Sequence, residues 1–395
     1  MNPLRPRYPL LDSMRAIAFG CVLATHAAFF AGFTADSSTL RPFLARLDVG
    51  VRIFFLISAF LLYRPFVAAR LRAQPPPLAS PYAWRRFLRI APPYWLALCV
   101  VGLWLGAPGV FTLEHAPLYF GFAHIYSTAT LVVPALPQAW SLCVEVAFYA
   151  LLPIYAALLR RVPGGLRAEL LGAAALVAVS LGYKVWVLST GQPGDLSVVR
   201  LHFALPESLD YFAIGMALAA ISAACETSRR IPALLAPVTR RPWVAWLGAA
   251  ALFVVVSKGI GLTGGITDEG TGARYLARHY LYAAIALGLV LPALFGRPSE
   301  GLIRRVLAWR PLLWVGRVSY GAFLFHVAVL EQLKRWDFGS WANDVTPYLW
   351  FPVALAGTLA IAAVSWYAFE RPLLSLKRLV APTARPRPSA ARPSA

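Results

Sequence analysis

Hydrophobic residues along this chain arrive in long runs. Apolar stretches at approximately 11–33, 49–69, 88–106, 139–159, 168–190, 204–224, 242–262, 276–296, 311–333 and 347–370 have the length of about 20 residues that a helix needs to cross a hydrocarbon layer of about 30 Å. The pattern predicts an all-α integral membrane protein, a bundle of about ten transmembrane helices. Residues 107–138 contain neither Lys nor Arg, and Pro108, Pro117, Pro134 and Pro137 break their apolar patches. They read as a long loop on the outward side. Residues 381–395 consist, apart from Thr383, of Pro, Ala, Ser and Arg; they cannot bury a core and are expected to be a disordered cytoplasmic tail, with arginines able to touch anionic lipid. The organisation expected is therefore a cytoplasmic stretch at 1–10, one membrane domain over 11–380, and the tail. No appended soluble catalytic domain is expected, and the chemistry is expected to belong to the membrane part.

Composition agrees with the runs. Hydrophobic residues make up 59% of the chain, charged residues 14%, and the mean hydropathy is +0.63, where a soluble domain carries about a quarter of its residues charged. Charge then orients the spans. The formal net charge of +20 comes from 37 Lys and Arg against 17 Asp and Glu. The basic residues concentrate in alternate connections: Arg64, Arg70 and Arg72 with Arg85, Arg86 and Arg89; Arg160, Arg161 and Arg167; Arg229 to Arg241; Arg297 to Arg310; and Arg371 onward. By the positive-inside rule these connections and both termini face the cytoplasm, as in a multi-pass protein of the cell membrane. Charge laid out in this way marks topology and excludes nucleic-acid binding, which needs a clustered basic face. The basic start before the first span is followed by no small-residue cleavage site, so that span reads as an uncleaved anchor. Cys21, Cys99, Cys143 and Cys225 show no metal-type spacing and read as small buried hydrophobes; no metal is expected.

Ionisable residues inside a bilayer are costly and become functional candidates. At about 1.5 Å of rise per residue, His26 lies roughly 22 Å above the inner end of its span, with His326, Lys184 and Lys258 at similar heights and Glu145 and Asp210 roughly 10 Å below the outer surface. These positions predict one polar layer around an interior cavity. Lys184 and Lys258 are expected to snorkel to the outer interface. Arg15 and His26 stand eleven residues apart, close to three helical turns, so one face carries a cation near the cytoplasm and an imidazole about 16 Å deeper. Such a stripe can hold a long anionic molecule by its phosphates and present its far end to a base. Arg86 and Arg89, at i and i+3, can clamp a phosphate, or can be topology charge alone. Glu145 fits a structural ion pair as well as a catalytic role.

At these residues the chain resembles the acyltransferase-3 family of membrane O-acyltransferases. Leu11-Asp12-Ser13-Met14-Arg15-Ala16 leading to His26 is similar to that family's L-D-G-L-R-A…H opening, with Ser13 in place of glycine. Val49-Gly50-Val51-Arg52-Ile53-Phe54-Phe55-Leu56-Ile57-Ser58-Ala59-Phe60-Leu61 resembles G-V-D-L-F-F-V-L-S-G-F-L, with Arg52 in place of an acid and Ala59 in place of a glycine. Arg85-Arg86-Phe87-Leu88-Arg89-Ile90-Ala91-Pro92-Pro93-Tyr94-Trp95 resembles R-R-x-x-R-I-x-P-x-Y-W. Trp140-Ser141-Leu142-Cys143-Val144-Glu145-Val146-Ala147-Phe148-Tyr149 resembles W-S-L-S-V-E-E-Q-F-Y, with Val146 replacing the second acid. Gly316-Arg317-Val318-Ser319-Tyr320 through His326, and then Glu370-Arg371-Pro372, resemble the closing motifs.

The resemblance implies transfer of an acyl group, acetyl above all, from cytoplasmic acyl-CoA to a hydroxyl on a sugar of an envelope glycan or secreted metabolite. It implies His26 as the catalytic histidine and Arg15, Arg86 and Arg89 as donor-binding residues. Glu145 is expected to orient the imidazole, and Trp140, Ser141, Asp210, Tyr320 and His326 to contact substrate. The expected partners are the lipid bilayer, acyl-CoA (acetyl-CoA first) and a sugar-containing acceptor. The rival class is a secondary transporter of a polar solute, against which stands the absence of a repeated half or a symmetric pair of broken helices.

Overall fold

Each apolar run folds as one helix. The structure, a computed structural model, describes residues 8–33, 39–107, 109–132, 135–190, 195–228, 230–262, 271–297, 300–339 and 346–379. Residues 1–7 of the N-terminal stretch and the expected tail, 381–395, lie outside the described residues. In chain order the long helices are α1 (Leu10–Phe30), α2 (Val49–Leu71), α3 (Ala79–Trp104), α4 (Trp140–Leu159), α5 (Gly165–Thr190), α6 (Leu205–Ser228), α7 (Pro242–Val254), α8 (Gly272–Leu294), α9 (Arg310–Arg335) and α10 (Thr346–Val364). Helices α7 and α10 run on into π-helical turns at Val255–Gly259 and Ser365–Glu370. No strand occurs among the described residues, as expected where lipid offers no partner for open backbone groups.

Among the described residues nine helices are long and apolar enough to cross a membrane. The remaining expected span is α2, 23 residues long and carrying Arg52, Arg64 and Arg70. It lies in the middle of the bundle, with α6, α1, α8 and α4 packed around it, and most of its side chains are buried. The other inner helices are α6, α9 and α1, while α5 and α7 form the rim: 72% of the most apolar window of α6 is buried against 22% for those two. Small residues let the inner helices touch, as is usual for helix pairs in lipid. A Cβ built on Gly215 of α6 would stand 2.3 Å from the Leu56 carbonyl oxygen of α2, and one on Gly316 of α9 would stand 1.8 Å from the Asp12 carbonyl oxygen of α1.

The structure departs from the expectations at three places. Helix α3 begins at Ala79, well before the apolar run at 88, because Arg85 and Arg86 interrupt hydropathy without interrupting the backbone. Its first turns therefore carry the arginines on a helix. The segment 107–138 is more than a surface loop. Its short helical turns bury Tyr119, His124, Ile125 and Gln138. It is tied to α3 by Tyr94 Oη donating to the Tyr119 carbonyl (3.0 Å) and Trp95 Nε1 donating to the Phe120 carbonyl (2.9 Å), and to α9 by Gln138 Nε2 donating to the Leu324 carbonyl (2.7 Å). Lys184 does not snorkel. It is fully buried and donates to Ser180 Oγ at 2.6 Å and Asp210 Oδ2 at 3.0 Å.

Several arginines of the basic connections are structural fastenings. Arg304, fully buried, donates to the carbonyls of Pro292, Val238, Thr239, Phe295 and Glu300 at 2.6–3.3 Å, and so ties the connection before α7 to the end of α8 and the connection after it. Arg70 meets Glu169 at 2.5 Å, and Arg64 meets Glu226 at 2.5 Å.

Candidate active site

The polar residues expected to share one layer fall into separate groups, and one of these lines a half-open cavity of about 200 Å³. Arg15 comes from α1, Ser58 from α2, Arg86 and Arg89 from the early turns of α3, Ser141, Glu145 and Tyr149 from α4, and Ser319, Tyr320 and Phe323 from α9. The extra N-terminal turns of α3 are what bring Arg86 and Arg89 to the wall.

The charges in this wall are unevenly matched. Arg15 pairs with Asp12 at 3.1 Å, and Arg89 lies 3.9 Å from Glu370 and over the rings of Tyr320 and Trp366 at 5.7 and 5.5 Å. Glu370 is itself fixed by Ser365 Oγ at 3.2 Å. Arg86 makes no ion pair within 4.0 Å among the described residues. Glu145 lies in the same wall but makes no ion pair with it within 4.0 Å; its carboxylate is held by hydroxyls, Ser58 Oγ donating to one oxygen at 2.8 Å and Tyr149 Oη to the other at 2.7 Å. A half-enclosed site with a spare guanidinium, next to two partly neutralised ones, suits a phosphate-bearing ligand.

His26 lies outside this lining, farther along α1, and its partner is His326 of α9. The two rings are 5.0 Å apart, with His326 Nε2 at 3.1 Å from His26 Nδ1. The surrounding carbonyls settle the tautomers. His326 Nδ1 faces the Phe323 carbonyl at 2.7 Å and must donate to it, so in the neutral ring Nε2 is the acceptor. His26 Nδ1 faces both that acceptor and the Val22 carbonyl at 3.0 Å, so it carries the hydrogen. The lone pair of neutral His26 is therefore on Nε2, the arrangement a general base requires. The expected contact between Glu145 and this imidazole is not made, since Glu145 is held by Ser58 and Tyr149. The link between cavity and histidines is aromatic instead: Phe323 lines the cavity, with its ring 6.0 Å from Phe54 and 5.6 Å from His326.

The other expected site residues fare differently. Tyr320 and Ser141 line the cavity, Tyr320 anchored by donating to the Ile90 carbonyl at 2.8 Å. Trp140 stands beside the lining, with its ring 6.1 Å from Phe55. Asp210 is corrected: it does not line the cavity but is buried between Lys184 (3.0 Å) and His279 Nε2 (2.9 Å). Every face of that carboxylate is answered within the protein, so nothing is left for a substrate. The same closed group includes Glu207, bonded by the Tyr275 hydroxyl.

Sequence reading missed Ser58, Tyr149 and the His26–His326 bond, although each residue sits inside a quoted motif. It also missed a thiol–imidazole pair: Cys143 Sγ lies 3.4 Å from His124 Nδ1. Burial pushes the His124 imidazole down to about 4, so it stays neutral at physiological pH. Both groups are buried outside the cavity lining, and a nucleophilic cysteine needs an accessible thiolate. The pair is a core contact. Among the described residues no group of three or more His, Cys, Asp and Glu could hold a metal.

Comparison with known proteins places this geometry. A family model described as an acyltransferase domain matches residues 8–367. Over 388 residues the chain is 23% identical to a peptidoglycan O-acetyltransferase of Listeria monocytogenes, an alignment covering 93% of this chain and 56% of that protein. Over 356 residues it is 24% identical to Nodulation protein 10 of Rhizobium leguminosarum, covering 83% of this chain and 82% of the relative. The chain thus spans little more than half the length of the Listeria protein. No solved structure matches it. With a match running through nearly all the helices that build the cavity and the histidine pair, the chain belongs to the acyltransferase-3 family.

Proposed function

We propose that this protein moves an acyl group, acetyl first, from acyl-CoA to a hydroxyl of a sugar-containing acceptor, with His26 as the base. The observation that carries the reading is the pairing of His26 Nδ1 with the Val22 carbonyl and His326 Nε2, which leaves Nε2 of neutral His26 as the lone-pair nitrogen. Arg86, with Arg15 and Arg89, would hold the phosphates of the donor, and that end of the cavity would face the cytoplasm, a reading supported by the positive-inside distribution of charge. The acyl-bearing arm would pass between Phe54 and Phe323 towards the histidines.

In the step proposed, the acceptor hydroxyl gives its proton to His26 Nε2 as its oxygen attacks the thioester carbonyl. The new C–O bond replaces the C–S bond, and the imidazolium returns its proton to the departing sulfur. His326, accepting from Nδ1–H, steadies the imidazolium in between. Transient acylation of His26 would use the same atoms in two steps. The sugar acceptor is supported by the name of the Listeria relative, whose acceptor is peptidoglycan. Both termini in the cytoplasm, and a cell-membrane location, complete the proposal.

The experiment compares glycans and secreted metabolites by mass spectrometry in wild type, a deletion strain, and the deletion complemented with His26→Ala. Loss of one acyl group from the same species in the deletion and the His26→Ala strain is the expected result. A wild-type profile restored by His26→Ala, with the protein present in the membrane, would overturn the catalytic assignment.

A further inference from the structure

The last turns of α10 carry an acid to the back of the cavity wall. Ser365 Oγ donates to Glu370 Oε1 at 3.2 Å, a contact between residues five apart in the chain. In an α-helix two such residues would point about 140° away from each other. The π-helical turn over Ser365–Glu370 brings them to one side, and turns of this kind recur at functional sites. The same turn presents Trp366, whose ring centroid lies 5.5 Å from the Arg89 guanidinium carbon. Helix α9 makes room for the acid: a Cβ on Gly321 would stand 2.8 Å from Glu370 Oε1 and 3.6 Å from Ser365 Cβ. Winding, hydrogen bond and glycine together hold one carboxylate beside Arg89, a residue of the cavity lining.

The carboxylate so placed is only half satisfied. Glu370 is 1% exposed, and its Oε2 has no hydrogen-bond partner among the described residues. That oxygen stands 3.9 Å from Arg89 Nη1, too far for a hydrogen bond. Arg89 makes no hydrogen bond among the described residues either; besides Glu370 it has the rings of Tyr320 and Trp366. Ring contacts locate a guanidinium and leave its N–H groups unspent. A buried carboxylate aimed at a cation without closing on it is costly and calls for a reason. The fastening pairs Arg70–Glu169 and Arg64–Glu226 do close, to 2.5 Å. Arg89 therefore stands between two anion positions, Glu370 on one side and the open cavity on the other.

We propose that Glu370 is a built-in competitor for Arg89: it holds that guanidinium while the cavity is empty, yields it to the donor's phosphates when acyl-CoA enters, and so speeds release of coenzyme A after transfer. Glu370 touches neither substrate nor reacting atoms and is a positioning residue that acts through Arg89. The inference rests on the reading of the cavity as the donor-phosphate site. A cation shared with an internal anion is free for only a fraction of the time, and apparent affinity falls by that fraction. The sign of the effect follows. Removing the charge of Glu370 strengthens donor binding, whereas removing a purely structural acid would leave it unchanged or weaken it.

The test is binding of coenzyme A to full-length protein in nanodiscs, with pantetheine, which lacks the phosphates, as the control ligand. Glu370→Gln keeps the shape of the side chain and removes its charge. It should tighten coenzyme A about five- to tenfold, chiefly through slower dissociation, and leave pantetheine unchanged. Arg89→Gln should weaken coenzyme A, and adding Glu370→Gln to it should bring no gain, because the gain passes through Arg89. Unchanged or weaker coenzyme A binding by Glu370→Gln, or the same gain in the Arg89→Gln background, would overturn the proposal. Should Glu370→Gln not fold, Ser365→Ala decides: without its tether the carboxylate can close on Arg89, and coenzyme A should bind about threefold more weakly, an unchanged affinity being the contrary result. A wild type that does not bind coenzyme A overturns the donor reading and the inference with it. Intact binding with no gain in Glu370→Gln overturns the inference alone.

Discussion

The arginine-lined cavity and the Lys184–Asp210–His279 cluster are made of the same ingredients and end in opposite states. Both place acids and bases from several helices inside a bundle. In the cluster each partner is spent: Asp210 takes Lys184 and His279 within 3.0 Å, and Lys184 also donates to Ser180. In the cavity the carboxylate is satisfied by two hydroxyls, and Arg86 is left over. Depth in the membrane identifies both groups as costly, but only the second has something to offer a ligand. Function is read from the remainder after internal pairing, not from burial.

The contrast can be broken at either end. The largest effect expected is structural: Asp210→Ala leaves Lys184 buried without its acid and should destabilise the protein by about 3–5 kcal/mol, read as a lowered thermal unfolding midpoint in detergent. The paired change Lys184→Met with Asp210→Leu should recover most of that loss. If Asp210→Ala unfolds like wild type but loses acceptor binding, the cluster is not the closed group described here. His326→Ala should lower kcat by about 10–100-fold, the scale for a group that orients another, with little change in the KM for either substrate. Arg86→Gln should raise the KM for acetyl-CoA about tenfold, equivalent to the ~1.5 kcal/mol of a bond to a charged group, and leave the unfolding midpoint in place. An equal loss in kcat would place Arg86 in the chemistry rather than in donor binding. The smallest effect belongs to Cys143→Ala, which should cost about 1 kcal/mol of stability and keep activity within about twofold; loss of turnover would reopen the thiol–imidazole pair.

Much of this was legible in the sequence, for a physical reason. A membrane helix must be apolar along its whole length, so the runs locate helices that soluble periodicity would only suggest. Arg15, Arg86, Arg89, Ser141, Glu145 and Tyr320 do meet at one cavity. What hydropathy cannot supply is the direction in which a side chain points. Lys184 near a span end reads as a snorkelling residue, yet it faces α6 and Asp210. His279 went unnoticed because Arg274 and Arg278 beside it look like interface charge, while the helix turns it inward. Glu145 and His26 fall at compatible depths, yet the bonds to Ser58 and Tyr149 give the acid its own partners. The hydrogen bond between His26 and His326 links residues 300 positions apart, a pairing that only packing of α1 on α9 reveals.

The central claim is that His26 Nε2 is the base of an acyl transfer whose donor is held elsewhere, at the arginines. It is tested most directly by purified His26→Ala protein in nanodiscs, measuring acetyl transfer to the acceptor found by mass spectrometry and acetyl-CoA binding in the same samples. The account predicts a fall in transfer of about 10²–10⁴-fold with acetyl-CoA affinity within about twofold of wild type. Wild-type transfer by His26→Ala, or loss of transfer explained entirely by loss of acetyl-CoA binding, would contradict it.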